Sequence, residues 1–368
     1  MFLKSKFEGR QATKSYDCTS IQIVIGKMNV NKTWWKQRVG LVLLLLILFF
    51  ADIAFGSTTI SMGDLIASIL KRSSSEYEDI VWQFRIPKAL TCILAGSALA
   101  TGGLMMQSIF RNPLAGPDVL GLTSGASLMV ALVLLTGQSG NQLLQVVATN
   151  PWSLVIAASV GGMMVFALII LIAQFIKDNT SLLIIGLMIS AATSSIVGIL
   201  QYISKAEDLQ AFFIWSMGTV GNTSWTEIKV LVVIVAIGLS IATLSQKSLN
   251  TWLLGENYSR SLGVNINRSR FWIVASTGLL AGGVTAFCGP IAFVGLAVPH
   301  LVRLGVPTSN HKILLPFVMM AGACLLLFCD LLSQLPGHTQ VLPLNAITSL
   351  MGAPLVIWMV IRNKQIRI

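Results

Sequence analysis

The sequence predicts an all-α polytopic membrane protein with about ten transmembrane helices. Of its 368 residues, 54% are hydrophobic and only 11% are charged, whereas about a quarter of the residues in a soluble domain are charged. The mean hydropathy is +0.78. Residues 119–176 contain no charged side chain at all. Together these observations exclude a soluble globular domain.

A helix that crosses the hydrocarbon core needs about 20 mainly apolar residues, and ten segments satisfy or approach this length. The eighth is short and contains Pro299, features that are also typical of a re-entrant or buried helix. The ten segments are 39–56, 88–109, 119–137, 152–175, 180–203, 228–246, 271–288, 292–304, 312–332 and 341–361.

Residues 1–37 are predicted to form a polar tail, and residues 38–365 the transmembrane domain. Residues 1–27 show no hydrophobic pattern, while Met28 opens a basic and aromatic segment directly before the first apolar run. We therefore predict that translation starts at Met28. The first apolar run carries Asp52 and lacks a small-residue cleavage site, which indicates an uncleaved span rather than a signal peptide.

The basic residues predict that both termini lie in the cytoplasm. With the N-terminus inside, the cytoplasmic segments hold 19 of the 25 Lys and Arg residues, and the external segments hold six. This distribution follows the positive-inside rule and requires an even number of spans. It also accounts for the net charge of +11 without nucleic acid, because no basic stripe with interleaved aromatics is present. We expect the lipid bilayer, and no nucleic acid, as a partner.

The cysteines and histidines predict no metal site. The five cysteines form no C-x-x-C pair, and the three histidines are scattered, so no metal-ligand spacing occurs. Ionisable residues near membrane depth mark either function or pairing. Asp330 is predicted at the outer end of the ninth span, and His300 and Arg303 at the inner end of the eighth. This separation argues against a proton relay.

A polar segment, LNTWLLGENYSRSLGV, occupies residues 249–264 between two hydrophobic stretches. We predict two short helices, Leu249–Leu254 and Glu256–Leu262, separated by Gly255 and closed by Gly263, which suits the left-handed turn that commonly ends a helix. Asn250 is able to cap the first helix. A folded cytoplasmic segment with aromatics and both signs of charge indicates a docking site.

Three further regions carry a family resemblance. Residues 85–127 begin RIPKALTCILAGSALATGGLMMQSIFRNPLAGPDVLGLTSG, residues 289–303 read GPIAFVGLAVPHLVR after LGVN at 262–265, and residues 342–354 read LPLNAITSLMGAP. In this order they closely resemble permease subunits of ABC importers for iron–siderophores, haem and vitamin B12, the FecCD type. The resemblance covers about residues 35–365.

The resemblance implies a type II ABC importer permease in the bacterial inner membrane. It implies a ten-helix subunit that forms a homodimer or pairs with a close relative, with a pathway between the two subunits. It also implies two cytoplasmic ATPase subunits and a periplasmic binding protein. The chain lacks the G-x-x-x-x-G-K-[ST] phosphate loop, so we expect no enzyme activity and no bound cofactor, with ATP used by the partner subunits. An iron–siderophore is the expected substrate, with haem and cobalamin as alternatives.

The resemblance also assigns the polar segment as a pair of cytoplasmic coupling helices that sit in a cleft of the ATPase. Aromatic and Arg side chains are favoured anchors in protein interfaces. The predicted coupling residues are Trp252, Leu253, Leu254, Gly255, Glu256, Tyr258, Arg260 and Gly263.

Arg85 and Lys88 are predicted to dock the binding protein, because the family has basic residues at these positions that meet acidic residues on it. Charge complementarity of this kind steers docking. The alternative is ordinary anchoring of a helix end at the membrane interface. Lys88 replaces the Arg that is common in the family, and Gln334 replaces a third external Arg, which puts the full docking pattern in doubt.

Two further sets of residues are functional candidates: one follows the second predicted span, and the other lies within it. Arg111, Asn112, Pro113 and Asp118 are predicted to form a shaped turn at the inner mouth, because proline breaks helices. Arg111 and Asp118 could pair, or cap the next helix. Uncharged side chains suit the wall of a pathway, and the predicted lining residues are Met105, Met106, Gln107 and Ser108.

Two other classes of function are weighed against the importer. A secondary transporter usually carries carboxylates in mid-span or broken helices around an ion site, and the spans are nearly free of acids. An intramembrane enzyme would need a nucleophile with a partner base. The GLTSG segment at 121–125 contains a serine, but no histidine is placed at mid-span to activate it. Both alternatives are therefore disfavoured.

Overall fold

The computed structural model of the protein describes residues 16–56, 60–69, 76–136, 151–176, 179–334 and 341–362. All regular structure in these ranges is helical, which confirms the predicted fold class. The helices are α1 (Tyr16–Ala54), α2 (Met62–Ile69), α3 (Glu76–Ile80), α4 (Ile86–Phe110), α5 (Leu122–Thr136), α6 (Pro151–Phe175), α7 (Asn179–Ile203), α8 (Ala206–Ser216), α9 (Trp225–Leu244), α10 (Gln246–Trp252), α11 (Glu256–Ser261), α12 (Ile266–Cys288), α13 (Val294–Gly305), α14 (His311–Ser333) and α15 (Leu344–Arg362).

By length and composition, seven of the described helices can cross a membrane. They lie in α1, α4 with the turns before it, α6, α7, α9, α12 and α14. Three shorter apolar helices, within α5, α13 and α15, occupy the positions of the other predicted spans. Each predicted segment therefore has a helix, while the count of ten membrane crossings stays a prediction.

Some boundaries differ from the sequence-based expectation. Helix α1 extends back to Tyr16, into the predicted polar tail. The predicted span at 119–137 begins instead with a 3₁₀ turn, Pro117–Leu120, before α5. A five-residue π-helical turn, Val81–Arg85, precedes α4. The tail before Tyr16 and the segment from 137 to 150 lie outside the described residues.

Helix α4 occupies the centre of the bundle. In the most hydrophobic 18-residue stretch of this span, 83% of the residues are buried, whereas 11% are buried in the corresponding stretch of α1. It packs against α14, α12, α13 and α9. The four residues predicted to line a pathway, Met105, Met106, Gln107 and Ser108, are all buried within the subunit in this structure, and their pathway role stays a prediction.

Glycines let α4 approach its neighbours backbone to backbone, as small residues do in membrane bundles. A Cβ added to Gly103 would lie 1.7 Å from the carbonyl oxygen of Gly295 on α13, and one added to Gly96 would lie 2.3 Å from that of Gly322 on α14. Both distances are far below van der Waals contact. The central helix can occupy its place only because these positions lack side chains.

We expect Gly103→Ala to lower the yield of folded protein strongly, since the added methyl group would push α4 and α13 apart. Overpacking of this kind reduces the free energy of unfolding by about 1–3 kcal/mol or more. Gly102→Ala is the matched control, because its Cβ would meet its nearest neighbours at 3.4 Å, an ordinary contact. Monodisperse yield in detergent, measured by size-exclusion chromatography, compares the two. Equal yields would contradict the packing argument.

Candidate functional site: the helix pair and the ion cluster at the opposite end

The polar segment folds as two short helices, α10 and α11, which we call the helix pair. Helix α10 starts at Gln246, three residues before the predicted start, and ends at Trp252. Gly255 at φ +97° and Gly263 at φ +81° make the turns around α11, as predicted, because this backbone region favours glycine. Asn250 lies inside α10 rather than at its start, so it does not cap the helix.

Trp252 anchors the helix pair to the bundle. Its side chain has no exposed surface, and its indole Nε1 donates to Ser269 Oγ at 2.9 Å. The Arg270 guanidinium lies 5.7 Å from the centre of the Trp252 ring, within the range of a cation–π contact. Trp252, which the sequence predicts as a coupling residue, is thus enclosed by its own subunit in this structure rather than placed on its surface.

Glu256 holds α11 against α12, the membrane helix that follows it in the chain. Its Oε2 lies 3.2 Å from Arg270 Nη2, and its Oε1 lies 3.1 Å from Arg260 Nη2. The Ser259 hydroxyl donates to the Thr251 carbonyl oxygen at 2.7 Å, which joins α11 to α10. The helix pair is therefore braced from the inside and presents a defined outer face.

That outer face is apolar at its centre. Leu254 and Tyr258 are each 58% exposed, and Leu262 is 55% exposed, while Leu253 is half-buried. The clustered exposure of large apolar side chains is typical of interaction sites. Of the predicted apolar anchors, Leu254 is the one that the structure places on the surface.

The turn after α4, which the sequence predicts to form the inner mouth, lies beside the helix pair. Arg111 ends α4 at φ 49°, in the left-handed region, and its side chain lines a groove of about 740 Å³ together with Leu254, Gly255, Glu256, Tyr258 and Arg260. Asp118 does not pair with Arg111. Its Oδ1 accepts from Thr123 Oγ1 at 2.6 Å, at the start of α5. The two separate sequence motifs thus contribute to one surface.

At the opposite end of the bundle, Arg85 closes the last turn of α1. Its Nη1 donates to the carbonyl oxygens of Ile53 at 2.7 Å and Ala54 at 2.9 Å. Carbonyls at a helix C-terminus have no partner within the helix, and a cation is favourable there. The Arg85 side chain also lies against Gly56, where an added Cβ would meet Nη2 at 3.0 Å.

Lys88 is the centre of a cluster of charges that we call the outer ion cluster. Its Nζ lies 2.7 Å from Asp330 Oδ2 and 3.2 Å from Asp52 Oδ1. The exposed fractions of the three side chains are 11%, 5% and 0%. Gln334 Nε2 donates to Asp330 Oδ2 at 2.5 Å. The cluster therefore joins α1, α4 and α14.

The predicted role of Arg85 and Lys88 in docking a binding protein stays a prediction, and in this structure both residues make contacts within their own subunit. Arg85 is 5% exposed, and Lys88 is enclosed by two carboxylates of its own subunit. Both residues do reach the wall of a cavity of about 600 Å³ that also includes Phe213, Met217 and Leu342. Their observed contacts hold helices together at this end of the bundle.

The sequence did not identify two residues of these sites, Asp52 and Arg270. The partner of Asp52 lies 36 positions away in the sequence, and Arg270 has the pattern of an ordinary positive charge at a span end. The signal that could have identified them is their position at span ends, where a buried ionisable group needs a partner.

Residues 44–362 match the FecCD transport family. The chain is 33% identical over 337 residues to the hemin transport system permease protein HmuU of Yersinia pestis, covering 90% of this chain and 97% of that protein. It is 32% identical over 325 residues to the vitamin B12 import system permease protein BtuC of Klebsiella pneumoniae, covering 88% and 93%.

A solved structure shares the fold. It is described as an inward-facing conformation of a metal-chelate type ABC transporter, and it matches with a TM-score of 0.78 and 29% identity over 89% of this chain and 99% of that one. The agreement covers nearly the full length of both chains. The protein therefore belongs to the FecCD transport family and is a membrane permease subunit of an ABC importer.

Proposed function

We propose that this permease imports a metal chelate with energy from a separate ATPase that binds the helix pair. The observation that carries the proposal is the exposed apolar face of Leu254, Tyr258 and Leu262 on a helix pair that is braced from within. Interfaces combine an apolar centre with a polar rim, and Arg111 and Arg260 provide such a rim in the adjoining groove. The sequence has no phosphate loop of its own.

This function requires the helix-pair end to face the cytoplasm, where ATP is available. The distribution of basic residues supports that orientation, with both termini on the same side of the bacterial inner membrane. Lys247, Arg260, Arg268 and Arg270 all lie in or next to the helix pair. The outer ion cluster then faces the periplasm, where a binding protein delivers substrate to the 600 Å³ cavity.

We further propose that two copies of the chain form the pathway between them. The centre of the subunit is filled by α4, so a large chelate has no route along that helix. Helices α7 and α15 carry exposed large apolar side chains along their length, among them Leu187, Ile199 and Leu350. In the membrane such faces contact either lipid or another subunit.

The substrate we propose is a large metal chelate: an iron–siderophore, haem or cobalamin. Relatives named for hemin and for vitamin B12 support this class. The cavity at the outer end is lined mainly by apolar groups and backbone, including Phe84, Gly218 and Pro343. Such a wall binds a bulky chelate weakly enough to release it.

Uptake by vesicles tests the proposal. The chain, its ATPase and its binding protein are reconstituted together, and labelled ferric siderophore, haem and cobalamin are supplied in turn. We expect one of the three substrates to be transported when ATP is supplied on the side of the vesicle membrane where the ATPase binds. Failure of all three to accumulate would overturn the assignment of substrate class.

A further inference from the structure

The helix pair is connected to the central helix through a chain of polar groups, of which Asn250 is partly exposed and His311 and Ser108 are buried. His311, the first residue of α14, has no exposed surface. Its Nδ1 lies 2.8 Å from Asn250 Oδ1 on α10, and its Nε2 lies 2.6 Å from Ser108 Oγ in the last turn of α4. One ring therefore contacts both the helix pair and the centre of the bundle.

The hydrogen bonds define the orientation of the two side chains. Asn250 Oδ1 also accepts from the backbone N–H of His311 at 2.8 Å, and Asn250 Nδ2 donates to Asn310 Oδ1 at 3.2 Å. A backbone N–H can only donate, so the amide of Asn250 is oriented with its oxygen towards His311. Because that oxygen can only accept, Nδ1 of His311 must carry a hydrogen.

The far side of the chain is held by Ser108, whose single hydroxyl hydrogen points either to Nε2 of His311 or to the Leu104 carbonyl oxygen. Ser108 is fully buried, and its hydroxyl also lies 2.7 Å from the Leu104 carbonyl oxygen, one turn earlier in α4. The neighbouring Gln107 accepts from Arg303 Nη1 at 2.8 Å and donates to the Leu296 carbonyl oxygen at 3.1 Å. The end of α4 is thus tied to α13 as well as to α14.

We infer that His311 is a positioning residue that transmits displacement of the helix pair to α4. If an ATPase moves α10, then α4 must follow, or the buried groups of His311 and Ser108 must lose their partners. Buried polar groups without partners are strongly disfavoured, so the bridge makes the two helices move together. This inference rests on the proposed function, because it needs an ATPase on the helix pair.

The test measures coupling in the complete transporter. The permease and its ATPase are reconstituted in vesicles, and substrate transported is divided by ATP hydrolysed. For His311→Leu and for Ser108→Ala, we expect ATPase binding and the rate of ATP hydrolysis to stay within about twofold of the unmodified protein. The ratio of substrate transported to ATP hydrolysed should fall about tenfold. A tenfold loss is the size expected from a broken energetic link of typical strength.

Ser127→Ala is the matched control for Ser108→Ala. The Ser127 hydroxyl donates only to the Thr123 carbonyl oxygen of its own helix, at 2.9 Å, so its removal should leave the ratio unchanged. The double variant carrying both Ser108→Ala and His311→Leu should be no worse than either single one, because both changes break the same bridge. If His311→Leu does not fold, Ser108→Ala and its control still decide the matter.

Three results would overturn the inference. One is an unchanged ratio of transport to hydrolysis in the two variants, while the yield of folded protein, the hydrolysis rate and the transport rate all fall in parallel. A purely structural role requires this result. Another is a double variant whose loss equals the product of the single losses. The third is equal behaviour of Ser108→Ala and Ser127→Ala. Failure of the proposed function would look different, because the unmodified permease would then show no ATPase binding or no ATP-driven uptake.

Discussion

Lys88→Met should prevent most of the protein from folding. Lys88 lies between the carboxylates of Asp52 and Asp330, both of which are almost completely buried. Removal of one partner from a buried ion pair leaves an uncompensated charge and costs about 3–5 kcal/mol. Because the three residues belong to α1, α4 and α14, the loss should separate helices rather than disturb one turn.

Lys229→Met is the control for the loss of a lysine. Lys229 lies at the start of α9, at the same end of the bundle, and its side chain is exposed. Thermal stability and monodisperse yield of the two variants in detergent make the comparison. If Lys88→Met is as stable as Lys229→Met, the outer ion cluster contributes nothing to the fold.

A combined variant isolates the electrostatic cause. Lys88→Met together with Asp52→Asn and Asp330→Asn removes the charges of all three residues while their shapes are largely kept. Replacement of a whole buried ionic group is often neutral, in contrast to removal of one member. We therefore expect the triple variant to recover most of the folded yield that Lys88→Met loses.

Tyr258→Ala and Leu254→Ala should each weaken ATPase binding by at least about tenfold. Truncation of an interface anchor commonly costs about 2 kcal/mol or more, and about 1.4 kcal/mol corresponds to a factor of ten in Kd. Both side chains are 58% exposed, so their loss should leave the fold intact. Binding of the ATPase to the permease in nanodiscs measures the effect.

Tyr202→Ala is the matched control, because Tyr202 is 90% exposed but lies at the end of α7 opposite to the helix pair. Trp252→Ala provides a second comparison. It should destabilise the helix pair itself, since truncation of a buried Trp costs about 3–5 kcal/mol. If Tyr258→Ala and Tyr202→Ala bind the ATPase equally well, the exposed face is not the docking surface.

The sequence predicted the helical architecture and the presence of the helix pair, because both follow from local patterns. Long apolar runs define the membrane helices, and Gly255 and Gly263 adopt the positive φ values that glycine favours. The shaped turn at Arg111 follows in the same way from Pro113 and the residues around it. Each of these features depends on residues that are neighbours in the chain.

The sequence could not predict which side chains face outward. Trp252 seemed a natural interface anchor, yet Ser269 and Arg270 enclose it. Met105 and Met106 seemed suited to a pathway, yet α4 is the most buried of the long helices. In a membrane protein, apolar residues face both the core and the lipid, so hydrophobicity does not distinguish the two.

The same limit applies to charge. Arg85 and Lys88 follow a pattern that indicates an exposed docking surface, but their partners come from residues 31 to 36 positions earlier and from the ninth predicted span. Pairing over such distances depends on the packing of α1 and α14 against α4. Only the three-dimensional arrangement distinguishes a docking charge from a structural one.

The most direct test of the central claim is the energy source of transport in vesicles that contain the permease, its ATPase and its binding protein. We predict that uptake of the chelate stops when the phosphate-loop lysine of the ATPase is replaced, and that it continues when ionophores dissipate all ion gradients. Uptake that survives the inactive ATPase but collapses with the ionophores would contradict the account and identify a secondary transporter instead.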